Sequence, residues 1–192
     1  MVTNIYPLSN VTLTNTTAVC HYFAKEWNDM GYEVKVVYNY NIYARIFHYI
    51  AKFFEKRIAS LFPTVINKIR YKIPFQYQYE GVTVLLNPIY KFLPKTNFPS
   101  QSIDTSIRRI QQYCDSEDFI PDIIVGHFLN PSIRIVSELK NKFPKSITSV
   151  ILHGKLTNND VELVNSNCAN VDIWGFRSEP IKQSFENKID IC

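Results

Sequence analysis

Glycine is scarce in this chain: five among 192 residues, at positions 31, 81, 126, 154 and 175. No two lie close enough for G-x-G-x-x-G, which excludes the dinucleotide fingerprint, and the Walker phosphate loop and the G-x-S-x-G nucleophile elbow are absent too. The four cysteines (20, 114, 168 and 192) form no C-x-x-C pair, so their spacing offers neither a zinc site nor a redox motif. Thiols scattered in this way are expected to be free, as in a reducing compartment. There is no H-E-x-x-H and no aspartate-rich metal loop, and neither a metal nor a cofactor is expected. No apolar run reaches the roughly 18 residues of a transmembrane helix. Internal repeats and low-complexity tracts are also missing.

What is present is globular. Hydrophobic residues make up 46% and charged residues 20%, and the length allows one domain with a sizeable core. The net charge of +4 is unevenly placed. Residues 41–73 hold seven basic residues (Arg45, Lys52, Lys56, Arg57, Lys68, Arg70, Lys72) and one acidic (Glu55), a segment charge of +6 that leaves −2 for the remainder. Positive charge concentrated in one segment points to a local anionic partner.

The chain is organised around residues 121–154. Two apolar runs, 123–125 and 150–152, each end in a histidine beside a glycine: Gly126-His127 and His153-Gly154. Between them, residues 133, 135, 136, 139 and 143 are apolar at near-helical spacing. Strand, helix and strand within about thirty residues predict a βαβ unit with parallel strands. His127 and His153 then stand at the carboxyl ends of neighbouring strands, the edge at which open parallel sheets bind ligands.

Further strands are predicted at 1–5, 32–38, 82–86 and 171–176, with 75–80 as extended chain before the third. Helices are expected at 17–30, where Val19, Tyr22, Phe23 and Trp27 share one side, and at 102–114, 158–167 and 179–186, with Gly31 as a helix C-cap. Residues 6–15 and 88–99 read as loops. The expected fold is α/β: one Rossmann-like domain over 1–192, with a mostly parallel, doubly wound sheet ordered 3-2-1-4-5-6 and a basic, aromatic amphipathic insertion at 41–73.

The run Pro121-Asp122-Ile123-Ile124-x-x-His127-Phe128-Leu129-x-Pro131, followed by a strand ending His153-Gly154, resembles the N-terminal domain of GT-B glycosyltransferases of the family-4 type. The tract 18–37, a helix running through Gly31-Tyr32-Glu33-Val34 into a strand, resembles the Gly-His-Glu-Val passage of that family. The resemblance covers most of the chain and rests on the order and spacing of these short motifs. It implies the acceptor-side half of a retaining hexosyltransferase, moving a sugar from a nucleotide-sugar donor to a polysaccharide, glycan or lipid-linked acceptor. Carried over by position, His153 would orient the donor sugar or stabilise developing charge, with Gly154 beside it, and His127 would line the acceptor side. The donor phosphate itself is expected to act as base, so no protein nucleophile is sought.

Two departures from the family pattern matter. Paired glycines often follow the first strand in the family; here the loop reads Pro7-Leu8-Ser9-Asn10-Val11-Thr12, so hydroxyls and amides at Ser9, Asn10 and Thr12 are what it offers an anion. The family's second domain, which carries Glu-x7-Glu and most of the nucleotide site, has no room in 155–192; Glu179 and Glu186 are seven apart where the motif needs eight. The expectation is therefore half of an enzyme, inactive without its C-terminal domain. The alternative is a non-catalytic Rossmann-like docking module of a split transferase.

Residues 41–73 admit two placements. Ile42, Ile46, Tyr49, Ile50, Phe53 and Phe54 line one helical face, with Arg45, His48, Lys52, Glu55 and Lys56 on the other. An interfacial helix on an anionic leaflet would look like this, with Arg45, Lys52, Lys56 and Arg57 facing the membrane and the protein cytoplasmic, peripheral on the inner face of the cytoplasmic membrane. So would a helix packed on the sheet with its aromatics in the core. A nucleic-acid surface fits less well, because the aromatics are grouped rather than interleaved with the bases. His21 and His48 are expected to be structural or solvent-facing.

Overall fold

The structure, a computed structural model, describes residues 1–189 apart from 5, 8–14, 62–65, 67–69 and 94–95; of residues 15–18 and 55–61 it describes the backbone alone. In chain order the elements are β1 (Val2–Thr3), α1 (Asn15–Asp29), β2 (Lys35–Ile42), α2 (Arg45–Leu61), β3 (Phe75–Tyr79), β4 (Val82–Tyr90), α3 (Ser100–Ser116), β5 (Ile123–His127), α4 (Ser132–Lys142), β6 (Ile147–Leu152), α5 (Asn158–Asn165), β7 (Ile173–Phe176) and α6 (Glu179–Glu186). The fold class is α/β and Rossmann-like: seven strands, mostly parallel, with helices flanking them. Among the described residues, no helix is long and apolar enough to cross a membrane. Packing divides the chain into two compact units, residues 4–106 and residues 1–3 with 107–192.

In residues 4–106 the strand order is β3-β4-β2. β2 and β4 run parallel in register from Lys35 opposite Thr83 to Ile42 opposite Tyr90. β3 folds back antiparallel on β4 through Glu80 and Gly81, whose φ angles of +46° and +82° are those of the tight turn that matches strand twist. α1 ends as its glycine requires. Gly31 takes φ +91°, its N–H donates to the Asn28 carbonyl, and the Tyr32 N–H donates to Trp27, which satisfies two of the carbonyls a helix end leaves open.

Several expectations need correcting here. β2 starts and ends later than residues 32–38, so Asn41 and Ile42 belong to a strand and not to the insertion. α1 buries Cys20, His21 and Ala24, while Tyr22 and Phe23 are exposed. β4 runs past the expected loop start at Pro88 as far as Tyr90. The two-residue turn makes Tyr79 and Val82 a hydrogen-bonded pair, so the amides of 82, 84, 86 and position 88 face the β3 side. β3 pairs only as far as Leu86, so a proline at 88 removes no ladder hydrogen bond.

In the other unit the strands run β1-β5-β6-β7, all parallel. Within each unit this is the expected order, with antiparallel β3 added at the side. α4 turns Ile133, Ile135, Val136 and Leu139 inward, as their spacing predicted. Lys140 bonds the Asp172 carboxylate, which also accepts from the Thr148 amide and hydroxyl. Those donors, the Thr148 amide first, hold that carboxyl down at about 2. Cys20 and Cys114 are free and buried, but Cys168 is disulfide-bonded, which corrects the expectation of free thiols throughout. Distance along the sequence does not bound distance in the fold.

The tightest approach in this unit is α4 over β5. A Cβ built at Gly126 would stand 2.8 Å from Val136 Cγ2 and 3.2 Å from Ser132 Cβ. Val136 is fully buried and its short side chain has nowhere to swing. Gly126→Ala is therefore expected to cost about 1–3 kcal/mol in denaturant unfolding. Adding Val136→Ala should recover part of the loss from the clash; a Gly126→Ala protein as stable as the parent would contradict this packing.

Candidate functional site

The register of β5 on β6 sets opposite each other Gly126 with Val150 and His127 with Ile151. His127 is the last residue of β5, and His153 follows directly on β6. Parallel strands carry both histidines to the same edge, as the sequence predicts. The chain leaves β5 through Phe128 at φ +67°, and the Phe128 amide still donates to the Ile151 carbonyl at 3.0 Å. That turn lays the Phe128 ring on the His153 imidazole, centroids 4.3 Å apart and 24° from parallel. Ser132 Oγ, at the start of α4, donates to the His127 carbonyl at 2.9 Å. The Asn130–Pro131 peptide is cis.

The two imidazoles touch. His127 Nδ1 and His153 Nε2 are 3.1 Å apart, a hydrogen bond in which one ring donates and the other accepts. His127 is wholly buried and His153 half-buried. Burial, then the neighbouring His153, pushes the His127 pKa down to about 3. Burial, then the Arg177 guanidinium, lowers that of His153. Both rings are neutral at pH 7. When His127 donates, His153 carries its other proton on Nδ1 and presents a donor there. When His153 donates, its Nδ1 is an acceptor. The pair is thus a neutral unit whose half-buried end can either give or take a hydrogen bond, which suits a hydroxyl-rich ligand.

Gly154 is exposed, and a Cβ there would meet nothing within 4 Å, so the fold does not demand glycine at that position. Arg177 was missed by the sequence reading. It follows β7 directly, its N–H donates to the Leu152 carbonyl at 3.1 Å, and its charge reaches His153. The signal was available: Arg177 takes the strand-end place on β7 that His153 takes on β6.

Ser9, Asn10 and Thr12 lie outside the described residues, as do the side chains of Lys56 and Arg57. Arg45 and Lys52 are exposed on α2. That helix departs from its expected polar face at His48. It is kinked at Phe54 (φ −129°, ψ 35°) and docks through Ala51, with Phe47 packed on a small cluster of Tyr43, Ala51 and Ile66. His48, placed by periodicity among the solvated residues, is buried and accepts the Tyr43 N–H on Nε2 at 3.0 Å. The large apolar side chains Ile46, Tyr49, Phe53 and Phe54 are exposed, so of the two expected placements the one with the aromatics in the core is corrected. His21 is also structural: buried, bonded to Tyr6 and to Glu80. Among the described residues no cluster of three or more His, Cys, Asp or Glu side chains could hold a metal. The chain matches no protein-family model and no curated protein.

The neutral pair makes a pH prediction. The folded pKa values of both histidines lie below the usual 6.5 or so, so the unfolded chain protonates first as pH falls. Stability from the pair is complete above about pH 6.5 and is lost progressively toward about pH 3. Denaturant midpoints taken from about pH 7 down to about pH 5 should fall in the parent and fall less in His127→Gln. Equal slopes would show that burying neutral imidazoles is not the cause.

Proposed function

We propose that this chain is the acceptor-side, N-terminal half of a retaining glycosyltransferase. It would act with a nucleotide-sugar-binding half to move a hexose onto a glycan or lipid-linked acceptor. The observation that carries this is the neutral His127–His153 pair at the carboxyl edge of two parallel strands. In this role His153 Nδ1, with Phe128 stacked behind its ring, hydrogen-bonds a sugar hydroxyl. Its orientation is held by His127, which is itself fixed by burial. Neutral rings suit the task, since an imidazolium would present donors only. Arg177, next to His153, supplies positive charge toward a leaving phosphate, and Gly154 leaves the edge open.

The placement we propose is peripheral, on the cytoplasmic face of the membrane. Ile46, Tyr49, Phe53 and Phe54 give α2 an exposed apolar surface within a segment of charge +6. Apolar contact with an anionic leaflet, plus about 1 kcal/mol for each basic residue near it, gives reversible attachment.

In the complete two-domain enzyme, His153→Ala should lower turnover by about 100-fold or more. Turnover within a few fold of the parent would remove His153 from the mechanism. Titrating this chain alone with nucleotide sugars should show little binding; tight binding would contradict the assignment of halves. Vesicle sedimentation checks the placement. The parent should bind anionic vesicles and not neutral ones, less so in high salt, and Phe53→Ser with Phe54→Ser should abolish binding. Retention by that double variant would rule out the apolar face as the contact.

A further inference from the structure

Residues 4–106 hold a cavity of about 460 Å³ lined by Arg45, His48, Tyr49, Lys52, Arg70 and Lys72. We propose that it binds a diphosphate-class anion, either free or as the headgroup of a lipid.

The volume falls among those of small-molecule sites, but such sites are mostly apolar with a few placed polar groups. This lining is the reverse. Among the described residues that line it, four of six are permanent or near-permanent cations and none is a carboxylate. Like charges gathered in one concavity repel one another unless an anion is shared between them. A specific donor also awaits an acceptor. Arg70 Nε is shut off from solvent and makes no hydrogen bond among the described residues, whereas buried polar atoms are nearly always paired. Arginine offers phosphate oxygens a planar fork, while lysine offers a compact charge; Arg45 and Arg70 with Lys52 and Lys72 supply two of each.

The elements explain how cations so far apart in sequence meet. Arg45, His48, Tyr49 and Lys52 recur at three- and four-residue steps, one face of the first turns of α2. Arg70 and Lys72 come from the stretch just before β3, where Tyr71 packs edge-on against Tyr40 of β2. Arg70 and Lys72, on either side of Tyr71, both line the cavity. His48 is held in the cavity wall by the Tyr43 amide, which donates to its Nε2. A single phosphate would engage only part of this lining. A diphosphate sets two anionic groups side by side and can engage both arginines and both lysines.

The inference does not depend on the transferase reading, and it fails separately. His153→Ala leaves this cavity untouched. Titration of the intact chain with inorganic pyrophosphate at low salt should show one site, weakened by added salt. Inorganic phosphate should bind at least about tenfold more weakly, and Arg70→Gln and Lys72→Gln should each cost about tenfold in pyrophosphate affinity. Lys145→Gln, an exposed cation of the other unit, should change nothing. A readout needing no variant guards against misfolding: in the parent, pyrophosphate should protect Lys52 and Lys72, and not Lys145, from acetylation. Neutral phosphatidylcholine vesicles carrying geranylgeranyl diphosphate distinguish the sources. Capture by these vesicles that pyrophosphate reverses assigns a lipid headgroup; pyrophosphate binding without capture assigns a free diphosphate. Absence of both, or pyrophosphate binding that the Arg70 and Lys72 variants leave intact and that protects no lysine, overturns the proposal.

Discussion

The parallel register of β5 on β6 is the constraint on which the candidate site depends. Neither histidine is placed by its own side-chain contacts in the first instance. Each is carried to the edge by a strand whose backbone must pair. The crossover through α4 then allows only a short return path, and that path is shortened by the absence of a side chain at Gly126. Because the helix can sit so close, Ser132 reaches the His127 carbonyl and the outgoing turn closes over the Ile151 carbonyl. A residue with a Cβ at 126 would lift the helix and loosen both bonds, and with them the imidazole contact 3.1 Å across.

The histidine pair and the cavity beside α2 use opposite electrostatics. The histidine pair has been made neutral by removing water, so it works through directional hydrogen bonds that salt scarcely screens. The cavity beside α2 is open and cationic, and its attraction extends into solvent and weakens with ionic strength. A hydroxyl and a phosphate make these two different demands on a protein surface.

The β5–α4–β6 unit was legible because each of its segments has a clear period and two glycine–histidine pairs mark the strand ends. The strand order within each unit was legible for the same reason, since short connections and right-handed crossovers leave few choices. What was not legible depended on neighbours. Pro88 reads as a strand terminator unless one knows that β3 stops pairing at Leu86. Periodicity located the apolar stripe of α2 correctly but could not tell which stripe faces inward. Docking is decided by small Ala51 and by His48, which finds a backbone donor at Tyr43, and the larger aromatics stay outside. Arg177 was passed over because it sits in a turn, although its position relative to β7 repeats that of His153. The disulfide at Cys168 has no local signal at all.

Pro88 has an effect of another kind. Past Leu86, the flank of β4 that faces β3 has no partner strand among the described residues. The flank of a strand beyond the end of its neighbour is where a stranger's strand can add itself during synthesis or at high concentration. The imide nitrogen at 88 gives such an intruder no hydrogen to accept. The proline at which the sequence predicts a loop thus acts as a guard against misassembly, at a register position where the β3–β4 ladder loses nothing by having it.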